Sequence, residues 1–171
     1  RGEFTYEKEF SYHLESGRRL FIEFEGVNSS STVIFNGKEL GIHNGGYSTF
    51  RFDVTSLVKE ENTIEVKVNN TPNDYVYPQR ADFTFYGGIY RDVNIIAVSD
   101  SHFDLEYYGG PGIKVTPEIS GADAKVEVEV YLTNEKAEQS LSYEIKDAEG
   151  NTVAKGTQSA AEKKAVFDIT N

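Results

Sequence analysis

Apolar residues fall at every second position through most of this chain, and a period of two leaves room for little except strands. Residues 125–132 read Lys-Val-Glu-Val-Glu-Val-Tyr-Leu, and residues 62–69 read Asn-Thr-Ile-Glu-Val-Lys-Val-Asn. Each has one face fit for a core and one for water. The same alternation predicts strands over 4–10, 19–25, 32–35, 38–40, 48–53 and 93–98, and then over 103–107, 113–119, 141–146, 152–155 and 165–169. Glycine turns punctuate them. Asn36-Gly37 carries the signature of a type I′ hairpin turn. Gly45-Gly46 precedes 48–53, and Gly109-Gly110-Pro111-Gly112 precedes 113–119. Asp147 to Gly150 reads as a further hairpin turn. Asp53 or Thr55 can cap a short helical turn over 53–58. No segment supports a long amphipathic helix, so the fold class is all-β, a sandwich or barrel. A polar break at Ser99-Asp100-Ser101 divides the chain into domains 1–98 and 99–171. The second reads as a small immunoglobulin-like sandwich, one edge strand short.

Composition narrows the chemistry. The 171 residues carry 28 Asp and Glu against 17 Lys and Arg, a net charge of −11 that repels phosphate backbones and argues against a nucleic-acid partner. There is no cysteine, which removes disulfides, thiolate metal sites and cysteine nucleophiles. No apolar run approaches the roughly 18 residues of a membrane span. The chain begins at Arg1 and contains no methionine, so it reads as a fragment or a processed product.

Catalytic constellations are not visible. His13, His43 and His102 have no metal-ligand spacing, and His43 draws attention only because it precedes Asn44-Gly45-Gly46-Tyr47 in a tight loop. The carboxylates Glu7, Glu9, Glu23, Glu25, Glu65, Glu127, Glu129 and Glu144 alternate with apolar residues and belong to wet strand faces. No catalytic residue and no metal site is assigned. Asn73 and Asp74 carry oxygens suited to a hard cation, at an unspecific spacing.

The segment Asp82-Phe-Thr-Phe-Tyr-Gly-Gly-Ile-Tyr-Arg-Asp-Val93 is richer than a strand needs. A carboxylate beside rings can accept sugar hydroxyl protons while an aromatic face stacks on the C–H surface of the sugar. Asp82, Phe85 and Tyr86 are the candidate sugar-binding residues, with Phe83 and Tyr90 as further rings. Packing of the same rings at a domain contact is the competing reading. Arg91 and Asp92 are expected to form an ion pair that fixes the strand entry. The connection 69–80 before them, with Tyr75 and Tyr77, is long enough to carry a function.

Taken in order, Val33-Ile-Phe-Asn-Gly-Lys-Glu-Leu-Gly41, His43-Asn-Gly-Gly-Tyr-Ser-Thr-Phe50, Phe52-Asp-Val-Thr55, Glu61-Asn-Thr-Ile-Glu-Val-Lys-Val68 and Gly87-Gly-Ile-Tyr-Arg-Asp-Val93 resemble the N-terminal region of glycoside hydrolase family 2. The resemblance is strong over 1–98 and weaker over 99–171. It implies a sugar-binding jelly-roll, galactose-binding-like, followed by an immunoglobulin-like spacer. It implies that a TIM barrel beyond these residues carries two catalytic glutamates of a retaining mechanism, leaving this stretch inactive alone. Asn36, Gly37, Gly45, Gly46, Gly87, Gly88, Arg91 and Asp92 are then family scaffold. In the β-galactosidase branch an aspartate at the position of Asp82 reaches over the galactosyl site, which favours that branch. Phe85 stands where that branch commonly has arginine, and the companion asparagine upstream is absent.

The resemblance further implies a β-glycoside or oligosaccharide as partner of the full-length enzyme and a catalytic barrel in cis. It is compatible with a homo-oligomer and a bacterial source. It places no cofactor in this stretch, although family members often use magnesium or sodium. Periplasmic, extracellular and cytoplasmic locations all stay open. Two other functions compete with this one: an independent carbohydrate-binding module, and a purely structural pair of sandwiches.

Overall fold

The computed structural model describes residues 1–170, and the chain divides into two compact units, Arg1–Ser99 and Asp100 onward. Every regular element among the described residues is a strand, and all ladders are antiparallel.

In the first unit β1 is Glu3–Ser11, β2 Arg18–Phe24, β3 Val27–Asn28, β4 Ser30–Phe35, β5 Lys38–Asn44, β6 Phe50–Asp53, β7 Glu61–Asn69, β8 Gly88–Ile89 and β9 Val93–Ser99. One sheet runs β1-β7-β4-β5 and the other β6-β2-β9, with a short β3-β8 ladder beside them. The alternation read from the sequence decides which residues face inward. Ile64, Val66 and Val68 of β7 and Val33 and Phe35 of β4 meet Leu20, Ile22 and Phe24 of β2 in one core. Burial of each such side chain is worth roughly 1.5–3 kcal/mol. Asn36 and Gly37 both adopt positive φ, at 50° and 81°, as the predicted type I′ turn requires. Asp53 caps the predicted single turn: its Oδ1 accepts from the Thr55 amide at 2.8 Å, while Val54 O accepts from the Leu57 and Val58 amides.

The two seams of this sandwich differ. Between β5 and β6 it is closed. Here His43 stacks on Phe50 at 3.9 Å, Phe50 stacks on Phe24 at 4.8 Å, and a Cβ on Gly41 would stand 3.1 Å from the Phe52 ring. Between β1 and β9 it is open. Phe4, Tyr6, Val93 and Ile95 are exposed there, along an apolar cleft of about 250 Å³ that reaches Phe24, Ile64 and Val66.

In the second unit β10 is His102–Phe103, β11 Ile113–Ser120, β12 Asp123–Val130, β13 Leu132–Thr133, β14 Ser140–Lys146, β15 Thr152–Ser159 and β16 Lys164–Ile169. A sheet β11-β12-β16 faces a hairpin β14-β15, and β10 pairs with β13. Val126, Val128 and Val130 form its core, with Leu141, Tyr143, Ile145, Phe167 and Ile169 packed on them. The strand expected over 103–107 stops at Phe103. Asp104 Oδ1 accepts from the Glu106 amide at 2.8 Å and turns the chain, although Leu105 and Tyr107 preserve the alternation. At the predicted hairpin turn, Asp147 Oδ1 accepts from the Asn151 amide at 2.7 Å. Together the units give the all-β architecture of a jelly-roll-like sandwich followed by an immunoglobulin-like one.

Candidate functional site

The connection between β7 and β8, residues 70–87, is tied down at both ends and free at its tip. At its start the Asn69 carboxamide oxygen accepts from the amide and hydroxyl of Thr71, at 2.9 and 2.7 Å. Asn73 Oδ1 then accepts from the amides of Tyr75 and Val76 at 3.1 and 2.8 Å. Short polar side chains of this kind mimic a backbone turn. Gln79 folds back over the same bend, taking the Asn73 amide on Oε1 at 3.1 Å and donating from Nε2 to the Val76 carbonyl at 2.7 Å. Val76 is buried beneath it.

The far end is held by close approach. Asn28 Nδ2 donates to the Tyr86 carbonyl at 2.6 Å. Gly87 lies so near Asn70 that a Cβ would stand 2.1 Å from its Nδ2. Gly88 sits at φ 85° with the Tyr6 hydroxyl 2.2 Å from where a Cβ would be. On the other side of Asn28, a Cβ on Gly46 would stand 2.8 Å from Asn28 Oδ1, and the Tyr90 hydroxyl donates to the Gly46 carbonyl. Of the glycines singled out as scaffold, Gly46 and Gly88 border Asn28 and Gly87 borders Asn70, while the Gly45 amide donates to the Ser29 carbonyl at 2.8 Å.

Between these anchors Asp82, Phe83 and Tyr86 are exposed. Asp82 makes no hydrogen bond or ion pair among the described residues, so its carboxylate is solvated and available. Phe85 is half-buried, tilted against Phe83 at 4.8 Å, and lines a small polar hollow with Asn28, Asn70 and Gln79. Tyr75 and Tyr77 are exposed on the same connection. Asp82 and Tyr86 thus stand at the surface of the loop, while Phe85 turns toward its anchors.

Arg91 and Asp92 differ from expectation. Arg91 Nη1 donates to the carbonyls of Glu25 and Tyr47, at 3.3 and 3.2 Å, and no ion pair joins it to Asp92. Arg91 lies at a bend before β9, and its guanidinium is drawn to those backbone carbonyls instead of to its neighbour. The arginine still fixes the entry to β9, through backbone acceptors.

His13 bonds Glu60 at 2.9 Å on the surface, and the Glu60 hydrogen bond raises its pKa. Burial on Phe50 holds the His43 imidazole below its ordinary range, against an opposing hydrogen bond with the Gly45 backbone. Sequence reasoning missed the polar anchors Asn28, Asn70 and Gln79. Their partners lie 58 residues away for Asn28 and 68 for Asn70, and no local pattern signals such pairings. No group of three or more His, Asp or Glu among the described residues could hold a metal ion, and none of the described residues forms a helix long and apolar enough to cross a membrane.

The first unit is thus a jelly-roll-like sandwich whose anchored 70–87 loop exposes a carboxylate and aromatic rings. Residues 2–99 match the family model for the sugar binding domain of glycosyl hydrolases family 2, and the chain belongs to that family. It is 38% identical over 157 residues to a β-glucuronidase of Bacteroides fragilis, covering 90% of this chain and 23% of that protein. It is 32% identical over 173 residues to a β-galactosidase of Bacteroides ovatus, covering 96% of this chain and 19% of that one. Among solved structures, an FMN-binding β-glucuronidase from Faecalibacterium prausnitzii L2-6 superposes with a TM-score of 0.87 at 36% identity, over 98% of this chain and 27% of that one. A β-galactosidase-like protein from Bacteroides fragilis gives 0.85 at 31% identity, over 99% and 28%. The chain therefore spans about a quarter or less of these bacterial relatives.

Proposed function

We propose that these 171 residues form the non-catalytic front part of a longer retaining β-glycosidase. In this reading a separate barrel supplies both catalytic carboxylates. The first unit buttresses that barrel and closes one wall of the sugar pocket with the 80–86 loop tip. The observation that carries the proposal is the solvated carboxylate of Asp82, held beside exposed rings on a loop whose two ends are anchored independently.

The energetic contribution asked of Asp82 is modest. A hydrogen bond to a charged group is worth about 1.5–3 kcal/mol, or about 10- to 100-fold in kcat/KM. The substrate proposed is a β-galactoside, whose neutral hydroxyls are donors a carboxylate can accept. A β-glucuronide is the second reading, favoured by the names of the 38% and 36% identical relatives. In that case Arg80, exposed two residues before Asp82, is the group that would meet the sugar carboxylate.

The test is hydrolysis of p-nitrophenyl β-galactoside and β-glucuronide by the longer enzyme and its Asp82→Ala variant. A loss of kcat/KM within the range above, on one glycoside and not the other, supports the wall and names the sugar. Full activity of the variant on both would remove Asp82 from the pocket. Cleavage of either glycoside by the 171-residue chain alone overturns the division of labour. Binding of free galactose by that chain tighter than about 0.1 mM would make it an autonomous sugar-binding module instead.

A further inference from the structure

In two β-turns of the described chain both central residues have positive φ. One holds Asn36 and Gly37, at 50° and 81°, residue types that such a turn prefers. The other holds Tyr108 and Gly109, at 49° and 65°, and the Gly110 amide closes it on the Tyr107 carbonyl at 2.9 Å. A tyrosine in the first place is strained, because its Cβ crowds the backbone where glycine has none and where asparagine is better tolerated. Little packing inside the fold explains it. Tyr108 is 90% exposed and meets the Tyr107 ring edge-on, at 5.0 Å and 78°. An outlier of this kind points to a use outside the core.

The turn is held firmly from below. The Asp104 amide donates to the Tyr131 carbonyl at 2.9 Å, and the Tyr131 amide to the Gly112 carbonyl at 2.8 Å. A Cβ on Gly112 would stand 2.7 Å from the Asp104 backbone. The Tyr107 ring stacks on Tyr131 at 4.0 Å. Beside the rings lies a charged pair. Val128 and Val130 fill the core, so Glu129 between them faces outward. Glu129 Oε2 accepts from the Tyr131 hydroxyl at 3.3 Å and Oε1 from Lys114 Nζ at 2.9 Å. The Glu129 hydrogen bond holds the Lys114 ammonium above its ordinary pKa range, and Tyr107 adds a smaller contribution, which puts Lys114 on the same patch.

Such a patch could meet a protein, a nucleic acid or a sugar. A protein would have to cover the Lys114–Glu129 pair and the neighbouring Lys164–Glu127 pair, and charged residues are depleted from interface cores because their water is costly to remove. The net charge of −11 turns phosphate chains away. A sugar needs what is present: a ring for its C–H face, a carboxylate for its hydroxyl protons and an ammonium for its hydroxyl oxygens, all left partly in water.

We propose that Tyr108, with Tyr107, Lys114 and Glu129, forms a weak binding site for a neutral oligosaccharide on the second unit, separate from the loop that carries Asp82. One pyranose lies on the Tyr108 ring, and hydroxyls of the adjoining sugar reach the Lys114–Glu129 pair. The site holds a sugar chain and performs no chemistry. It stands independently of the β-glycosidase reading.

The test is titration of the isotope-labelled 171-residue chain with linear β-linked galactotetraose and with cellotetraose, followed by amide chemical shifts. The expected result is saturable shifts at 107–110 and 129–131 with at least one probe, at a Kd of about 1–10 mM. Tyr108→Phe should keep that affinity within about twofold, whereas Tyr108→Gly should weaken it at least about fivefold. Glycine suits this backbone, so the melting temperature of Tyr108→Gly should not fall, which a merely structural tyrosine would not allow. Should the chain not fold alone, calorimetry with cellotetraose on the longer enzyme and its Tyr108→Gly variant decides in the same way. No saturable shift with either probe up to about 20 mM overturns the proposal. Shifts confined to 70–87 assign the sugar to the Asp82 loop and overturn it. A melting temperature lowered by Tyr108→Gly in the longer enzyme alone would mean that Tyr108 packs on another part of that protein, and overturns it too. The p-nitrophenyl glycosides carry a single sugar, so Tyr108→Gly should hydrolyse them like the parent enzyme, and the Asp82 reading is tested apart from this one.

Discussion

Asn36 Nδ2 donates to Asn62 Oδ1 at 2.9 Å, joining the turn of the β4-β5 hairpin to the start of β7. The same Asn36 amide nitrogen reaches the Leu57 carbonyl at 2.8 Å, and its oxygen takes the Thr63 amide at 2.9 Å. Asn62 in turn bonds the amide and carbonyl of Lys59, at 2.8 and 2.6 Å, and is only 2% exposed. Two carboxamides thus satisfy the backbone of a bend that no strand can reach.

Replacing Asn62 by alanine strands several of those groups away from water. We expect Asn62→Ala to lower stability by about 2–3 kcal/mol. Urea unfolding should show a lower midpoint with an unchanged slope. A loss under about 0.5 kcal/mol would mean that water replaces the side chain fully.

The Tyr6 hydroxyl occupies the space that a side chain on Gly88 would need. Gly88→Ala should therefore destabilise by about 2 kcal/mol or more, part from the clash and part from its positive φ. Adding Tyr6→Phe removes the hydroxyl and should recover about 1 kcal/mol in a double-mutant cycle. Additive losses would show that backbone conformation alone carries the effect.

His43 is held below its ordinary pKa by burial. The unfolded chain, with an imidazole pKa of about 6.5, takes up a proton first as pH falls. Stability is therefore lost as pH drops from about 6.5 toward the lower folded value, and is regained above it. The pH dependence of the melting temperature between about 5 and 7.5 should flatten in His43→Gln, relative to the parent chain. An identical slope in both proteins would assign the effect elsewhere.

Asp82 is exposed and unbonded, so Asp82→Ala should leave the melting midpoint unchanged, within about 0.5 kcal/mol of stability. This separates a contribution to sugar contact from one to folding. A larger loss would make the residue structural.

What was legible in the sequence was local. Alternation placed β7, β12 and the Asn36-Gly37 turn because each depends on neighbours one or two residues apart. Asp53 capping its own turn was readable for the same reason. The anchors of the 70–87 loop were not, because Asn28 meets Tyr86 and Gly46 meets Tyr90 only after the chain has closed on itself. Arg91 shows the same limit: its charge suggested its neighbour Asp92, and folding brought it to carbonyls of Glu25 and Tyr47 instead. Phe85 looked like a partner for Asp82 by spacing, yet its ring is drawn toward Asn28 and Gln79. The carboxylate and rings around Asp82 pointed to a sugar-facing loop by their chemistry, and family resemblance added what neither they nor periodicity could, the expectation of a catalytic barrel beyond these residues.

The loop from 70 to 87 hangs from the sandwich by its roots and not by its crown. Substitutions from Arg80 to Thr84 therefore leave Val76, Gln79, Asn28 and Gly87 untouched. The exposed positions of that tip are thus free to drift in sequence without touching the fold, while selection for a foldable scaffold acts on different residues altogether.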